Sequence, residues 1–242
     1  MKNLQELEKQ EALPDSGSVF TAPLQRRSFL QFAGASAAAV ALVAAGCRKD
    51  RPNAPMASGV TLDFKDDFGV LNYAYALEQL EAAFYIQVAS APPSGFSAAE
   101  KAYFQDIQFH EIAHREYFKK ALSTAAIGSL EVDFSSIDFT SRASVLGAAM
   151  AFEDLGVAAY NGAGIRLKDT NFLLAAGKIV SVEARHASYV RDLVSYGSFA
   201  DLTTLTALGA SNSGGLDAAL SPDKVLPIAG KYVKTKINLI NL

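Results

Sequence analysis

Two Glu-x-x-His pairs constrain this chain more than any other feature: Glu111-Ile112-Ala113-His114 and Glu183-Ala184-Arg185-His186. A spacing of three places both polar side chains of a pair on one face of a helix. Each pair is preceded along the chain by a segment with its own Glu and, seven residues later, a Tyr: Glu78 with Tyr85, and Glu153 with Tyr160. The chain therefore reads as two related halves. Each Glu falls near the middle of its segment, so antiparallel pairing within each half can bring all four to one level.

The segments read as helices. From Phe68 to about Ala89, apolar residues recur at Leu71, Ala74, Tyr75, Leu77, Leu80, Phe84 and Tyr85, which is helical spacing and not strand alternation. Ala91-Pro92-Pro93-Ser94-Gly95 ends this first helix. Ser97-Ala98-Ala99-Glu100 is a capping-box pattern that starts a second helix running to about Leu122. A third helix is expected from about Ser141 to Gly164, and a fourth from about Asn171 to Tyr196, stopped by Gly197. Short loops make each successive pair an antiparallel hairpin. Thr124 to Thr140 differs, being long and without helical periodicity. At roughly 3.3 to 3.6 Å per residue it can travel the length of a bundle, leaving helices two and three parallel. The fold class is thus all-α, a four-helix bundle with a long crossover between helices 2 and 3.

One Glu from each of two helices, with Glu-x-x-His from each of the other two, is the ligand pattern of two-metal carboxylate bundles. LEQLEAAFY, QFHEIAHREYF, AFEDLGVAAYNGA and VEARHASYVRDL resemble the ferritin-like superfamily over about residues 66 to 196, in particular its desiccation-related branch. The resemblance implies a di-iron or di-manganese centre held by Glu78, Glu111, His114, Glu153, Glu183 and His186. Glu111 and Glu183 would bridge the two ions, Glu78 and Glu153 would be terminal ligands, and each His would give one nitrogen. Electrostatics agree: four carboxylates in one apolar interior are costly unless protonated or neutralised, and two divalent cations cancel them. Imidazole with carboxylate suits iron or manganese, and the absence of thiolates argues against a soft-metal preference.

Other residues admit plainer readings. Glu81, one turn from Glu78, is either a ligand that assists or replaces it or a flanking charge. Tyr85 and Tyr160 either hydrogen-bond to ligands or simply pack in the core. Asp154 reads as a surface residue. His110-Glu111-Ile112-Ala113-His114 also fits the H-E-x-x-H zinc-protease helix. That reading leaves Glu183, His186, Glu78 and Glu153 without a role, so His110 reads as peripheral.

The first 47 residues read as an export leader. Arg26, Arg27, Phe29 and Leu30 resemble a twin-arginine signal, and the apolar run from Phe32 to Ala45 is shorter than the ~20 residues that span a bilayer. Val43-Ala44-Ala45-Gly46-Cys47 resembles a bacterial lipobox whose cysteine is lipidated, with Ala44 where Leu is more usual. Cys47 is the sole cysteine, which excludes an intrachain disulfide and a thiolate zinc site. Residues 48–65 read as a flexible tether, 66–200 as the bundle, and 201–242 as an extension packing on it. In that extension Ser221-Pro222-Asp223-Lys224 is a helix start, and the apolar Ile237–Leu242 stretch follows as a packing or oligomer contact.

These readings imply a periplasmic or envelope protein exported by a bacterial twin-arginine route and tethered to the membrane through Cys47. A formal charge of −3, with acids and bases mixed along the chain, leaves no basic stripe for nucleic acid. O2 or peroxide is the expected small-molecule partner, in oxidative or desiccation stress. Whether the bundle is an oxidase, a peroxidase, a catalase-like enzyme or a non-catalytic iron-binding or protective protein stays open. Lacking the paired cysteines of an electron-transfer module, the chain would need an external reductant for peroxidase cycling. Lipidation also argues against a hollow storage shell, although a homo-oligomer is compatible with the sequence.

Overall fold

The computed structural model describes residues 59–242. The leader with Arg26, Arg27 and Cys47, and the tether as far as residue 58, lie outside the described residues. Four long helices carry the fold: α1 (Asp67–Ser90), α2 (Ala98–Leu122), α3 (Arg142–Gly164) and α4 (Thr170–Val194). Their starts follow local chemistry. Asp66 caps α1 by accepting from the Phe68 amide at 3.0 Å, and Asp169 caps α4 by accepting from Asn171 at 2.7 Å. At α2 the capping box forms in both directions: the Glu100 amide donates to Ser97 Oγ at 3.2 Å, and the Ser97 amide donates to Glu100 Oε2 at 2.7 Å. The fourth helix ends at Val194 with Ser195 as its cap, before the expected Tyr196, which is 95% exposed. Gly197 turns the chain there with φ +85°.

Helix directions are settled by side chains at the core. The Tyr85 hydroxyl of α1 donates to Glu153 of α3, and the Tyr160 hydroxyl of α3 donates to Glu78 of α1. The earlier residue on each helix meets the later one on the other, so α1 and α3 are antiparallel. Because the short Ala91–Ser97 turn folds α2 back on α1, α2 and α3 run parallel, as the crossover requires. Glu100 in the first turn of α2 accepts from Arg142 Nε, at the start of α3, at 2.7 Å, which places the two N-termini together.

Two kinds of helix face result. The buried residues of α2 form a narrow seam of Glu100, Phe104, Ile107, Glu111, His114, Phe118 and Leu122, a strict three-and-four spacing with solvent on the other side. In contrast, α1 is buried nearly all round, from Gly69 to Val88. The crossover lies against it. Asn72 donates to the Ala125 carbonyl at 2.9 Å and accepts from the Ile127 amide at 2.8 Å, and Gln79 accepts from the Leu130 amide at 2.9 Å. Phe134 and Phe139 pack on Phe84, with ring centres 6.0 and 5.8 Å away. Burying a side chain of this size contributes about 1.5 to 3 kcal/mol.

The C-terminal segment covers α3. Gly162 allows the contact, since a Cβ there would stand 1.9 Å from the Leu220 carbonyl oxygen. The Leu220 amide donates to the Ala158 carbonyl at 2.9 Å, and Asn161 donates to the Ala218 carbonyl at 2.9 Å. A short helix, α5 (Pro222–Ala229), follows and packs on α3. The last tether residues are not loose chain: β1 (Val60–Asp63) pairs in parallel with β2 (Ile237–Ile240), and Leu62 points into the core fully buried. Asp154 is likewise not a surface group. It is buried on α3, where Arg191 Nε of α4 donates to it at 2.9 Å, while Arg191 also donates to the Asp201 carbonyl at 2.7 Å. An internal carboxylate at this position is tolerated because a guanidinium neutralises it.

Candidate metal centre

The seam positions of α2 and α4 carry the Glu-x-x-His pairs inward, and α1 and α3 present Glu78 and Glu153 from the opposite side. Glu78, Glu111, Glu153 and Glu183 are all 0% exposed, and His114 and His186 are buried beside them. The structure brings these six residues together. Their donor atoms fall into two sets, within each of which the atoms lie within 4.8 Å of one another.

In one set His114 Nδ1 lies 2.8 Å from Glu183 Oε1, 3.6 Å from Glu78 Oε2 and 3.7 Å from Glu111 Oε2. In the other His186 Nδ1 lies 3.0 Å from Glu111 Oε1, 3.3 Å from Glu153 Oε2 and 3.7 Å from Glu183 Oε2. Glu111 and Glu183 thus each turn one oxygen to either set, while Glu78 and Glu153 each give one oxygen to a single set. Among the described residues, none of these eight buried atoms has a hydrogen-bond partner outside the two sets. Buried polar atoms are nearly always satisfied, so two groups of four orphans converging on two points have the form of cation sites. The remaining oxygens of Glu78 and Glu153 are the ones bonded by Tyr160 and Tyr85. Those tyrosines hold the Glu78 and Glu153 carboxylates and leave one oxygen of each facing its donor set.

The electrostatics fit the same reading. Burial raises the Glu78 carboxyl, raises that of Glu111 well above its ordinary value, and lifts Glu153 to about 7. Burial also opposes ionisation of Glu183, but its close contacts with His114 and His186 outweigh this and hold it at about 2. For His114 and His186 burial disfavours the cation, yet the surrounding carboxylates push both up to about 12. Without a cation the cluster must therefore hold protons to limit its own repulsion. Burial, then the neighbouring carboxylates, keep Tyr85 and Tyr160 as phenols able to donate.

Glu81 is buried beside the six but belongs to neither donor set, and its Oε2 has no partner among the described residues. The two halves explain its place. One turn after Glu78 the first half has Glu81, and one turn after Glu153 the second half has Gly156. A Cβ on Gly156 would stand 2.9 Å from Glu81 Oε1, so the missing side chain of one half accommodates the extra carboxyl of the other. Burial, followed by the charges of Glu183 and Glu111, raises the Glu81 carboxyl well above its ordinary value.

His110, read from sequence as peripheral, touches the centre. Its Nδ1 lies 2.9 Å from His186 Nε2. It belongs to neither donor set, so His110 and His114 do not converge on one point as a zinc-protease helix requires. A signal for it was present in composition: the chain has 3 histidines, and His110 shares a helix with one candidate ligand.

Residues 66–196, more than half of the chain, match the Ferritin-like domain family. The chain belongs to the ferritin-like family. In this ferritin-like protein, residues 23–43 additionally match the TAT (twin-arginine translocation) pathway signal sequence, which directs export across a membrane. No curated protein matches the chain.

Proposed function

We propose that this ferritin-like protein holds two iron or manganese ions and acts on O2 or peroxide outside the cytoplasm as part of oxidative or desiccation stress defence. The observation that carries the reading is the set of eight buried donors with no partner outside the cluster among the described residues, divided four and four, with Glu111 and Glu183 shared. A mixed carboxylate and imidazole set suits iron or manganese. Such ions, when bound, supply redox chemistry to a small oxidant. Glu111 and Glu183 would bridge them, Glu78 with His114 and Glu153 with His186 would complete the two ends, and Tyr160 and Tyr85 would fix the terminal carboxylates. The apolar walls around the cluster limit water, which strengthens every charge interaction inside.

The lipobox-like Val43–Cys47 sequence supports a lipid tether at Cys47 after export. One acyl chain alone gives only marginal membrane binding, so stable attachment needs further lipid on the same cysteine or a second contact. A Cys47→Ser variant should leave export intact and move the protein from membrane to soluble envelope fraction.

Metal analysis of natively exported protein tests the centre. Two ions per chain are expected, with loss in Glu111→Ala and His186→Ala. Less than one ion in the unmodified protein, unchanged in the variants, would refute the two-metal reading. Peroxide consumption that disappears in the variants supports turnover, whereas retained iron without consumption identifies a binding protein.

A further inference from the structure

We infer that His110 is a positioning residue that holds the His186 ring by accepting the hydrogen of Nε2, thereby aiming Nδ1 at Glu111 and Glu153. This rests on the two-metal reading for its consequence, but the contact itself is a property of the chain.

The geometry is specific. His186 Nδ1 faces Glu111 Oε1 at 3.0 Å and Glu153 Oε2 at 3.3 Å, so Nε2 is the ring's outward nitrogen. It meets His110 Nδ1 at 2.9 Å. The ring planes differ by only 9° and the ring centres are 5.1 Å apart. Parallel rings stacked face to face cannot bring nitrogens this close, because their planes stay a van der Waals thickness apart. The centre separation matches instead one N–H···N contact plus a ring radius at each end. The rings therefore meet edge to edge, nearly coplanar, with the hydrogen directed along the acceptor lone pair.

An imidazole that binds a metal through one nitrogen carries its hydrogen on the other, and the group accepting that hydrogen fixes tautomer and orientation. Carboxylates and carbonyls are the usual acceptors; this chain uses a second imidazole. His114, the corresponding residue of the other half, has no such partner on its outer nitrogen among the described hydrogen bonds. The two ends of the centre are consequently inequivalent. His110 is itself exposed on α2, so it can be replaced without opening the core.

The test uses the full chain labelled with 15N-histidine, in which the 3 histidines give three ring systems. A scalar coupling across the hydrogen bond between His186 Nε2 and His110 Nδ1 is expected in metal-free and zinc-loaded protein. Its absence overturns the proposal whatever the metal content. Mn(II) binding is then compared by electron paramagnetic resonance in the unmodified protein, His110→Leu and His110→Asn, with folding checked by circular dichroism. His110→Leu should weaken one of the two ions about 10- to 100-fold. His110→Asn, whose side-chain oxygen can accept in place of Nδ1, should recover most of that loss. A folded His110→Leu variant that binds both ions as tightly as the unmodified protein, or no recovery in His110→Asn, overturns it. Failure of the unmodified protein to bind Mn(II) while the coupling is present would instead overturn the two-metal reading alone.

Discussion

Tyr85 and Tyr160 each donate to a carboxylate on the opposite helix, and each is buried. Replacing either by Phe leaves a buried carboxylate oxygen without its donor, which should cost about 1 to 3 kcal/mol in chemical denaturation of the metal-free protein. The effect should shrink when the partner Glu is also changed to Gln, because a neutral amide is less costly to bury. Protons are the second residue-scale handle. His114 and His186 are pushed up to about 12, and Glu153 lies at about 7, so at neutral pH both histidines and part of the Glu153 population carry a proton. A metal must displace these protons, since it binds neutral imidazole and ionised carboxylate. Mn(II) binding at pH 7 should accordingly release protons, seen as a buffer-dependent enthalpy in calorimetry, and affinity should rise with pH through 7. Binding that is independent of pH between 6 and 8 would contradict this assignment of protons.

At the scale of elements, two small features join the bundle to its coverings. Gly162 lies where a Cβ would meet the Leu220 backbone, which cannot rotate aside. Gly162→Ala should therefore destabilise by about 1 to 3 kcal/mol despite its better helix propensity, and hydrogen exchange should rise first in residues 218–230. At Gly156 the obstacle is the end of the flexible Glu81 side chain, so Gly156→Ala should cost much less while displacing that carboxyl. Asn72 binds both Ala125 and Ile127 of the crossover, and Asn72→Ala should cost about 1 to 3 kcal/mol by removing two half-buried hydrogen bonds. Neither device could be read from the sequence. A helical Asn or Gly has no periodic signature, and its value depends on a backbone some 50 residues away.

At the scale of the whole molecule, the candidate metal centre sits among all four helices, so metal binding there should govern global stability. Loading with Mn(II) at about 100 times its dissociation constant should stabilise by about 2.7 kcal/mol per site if the unfolded chain does not bind. A chelator should reverse the resulting rise in Tm, and a Tm insensitive to both would place no metal in the bundle. The bundle class, the four helices, the crossover and the six converging residues were legible because each rests on local spacing: a three-residue step selects a helix face, a capping box starts a helix, and a long aperiodic segment spans one. Asp154, His110, Gly156 and residues 60–65 were misread or missed because their roles depend on partners distant in the chain. Asp154 reads as polar surface until Arg191 is placed against it, and Val60–Asp63 reads as tether until Ile237–Ile240 pairs with it. Local spacing along the chain is enough to place side chains on a common helical face. Which faces meet depends on the folded arrangement, since burial and hydrogen-bond satisfaction are properties of neighbours in space.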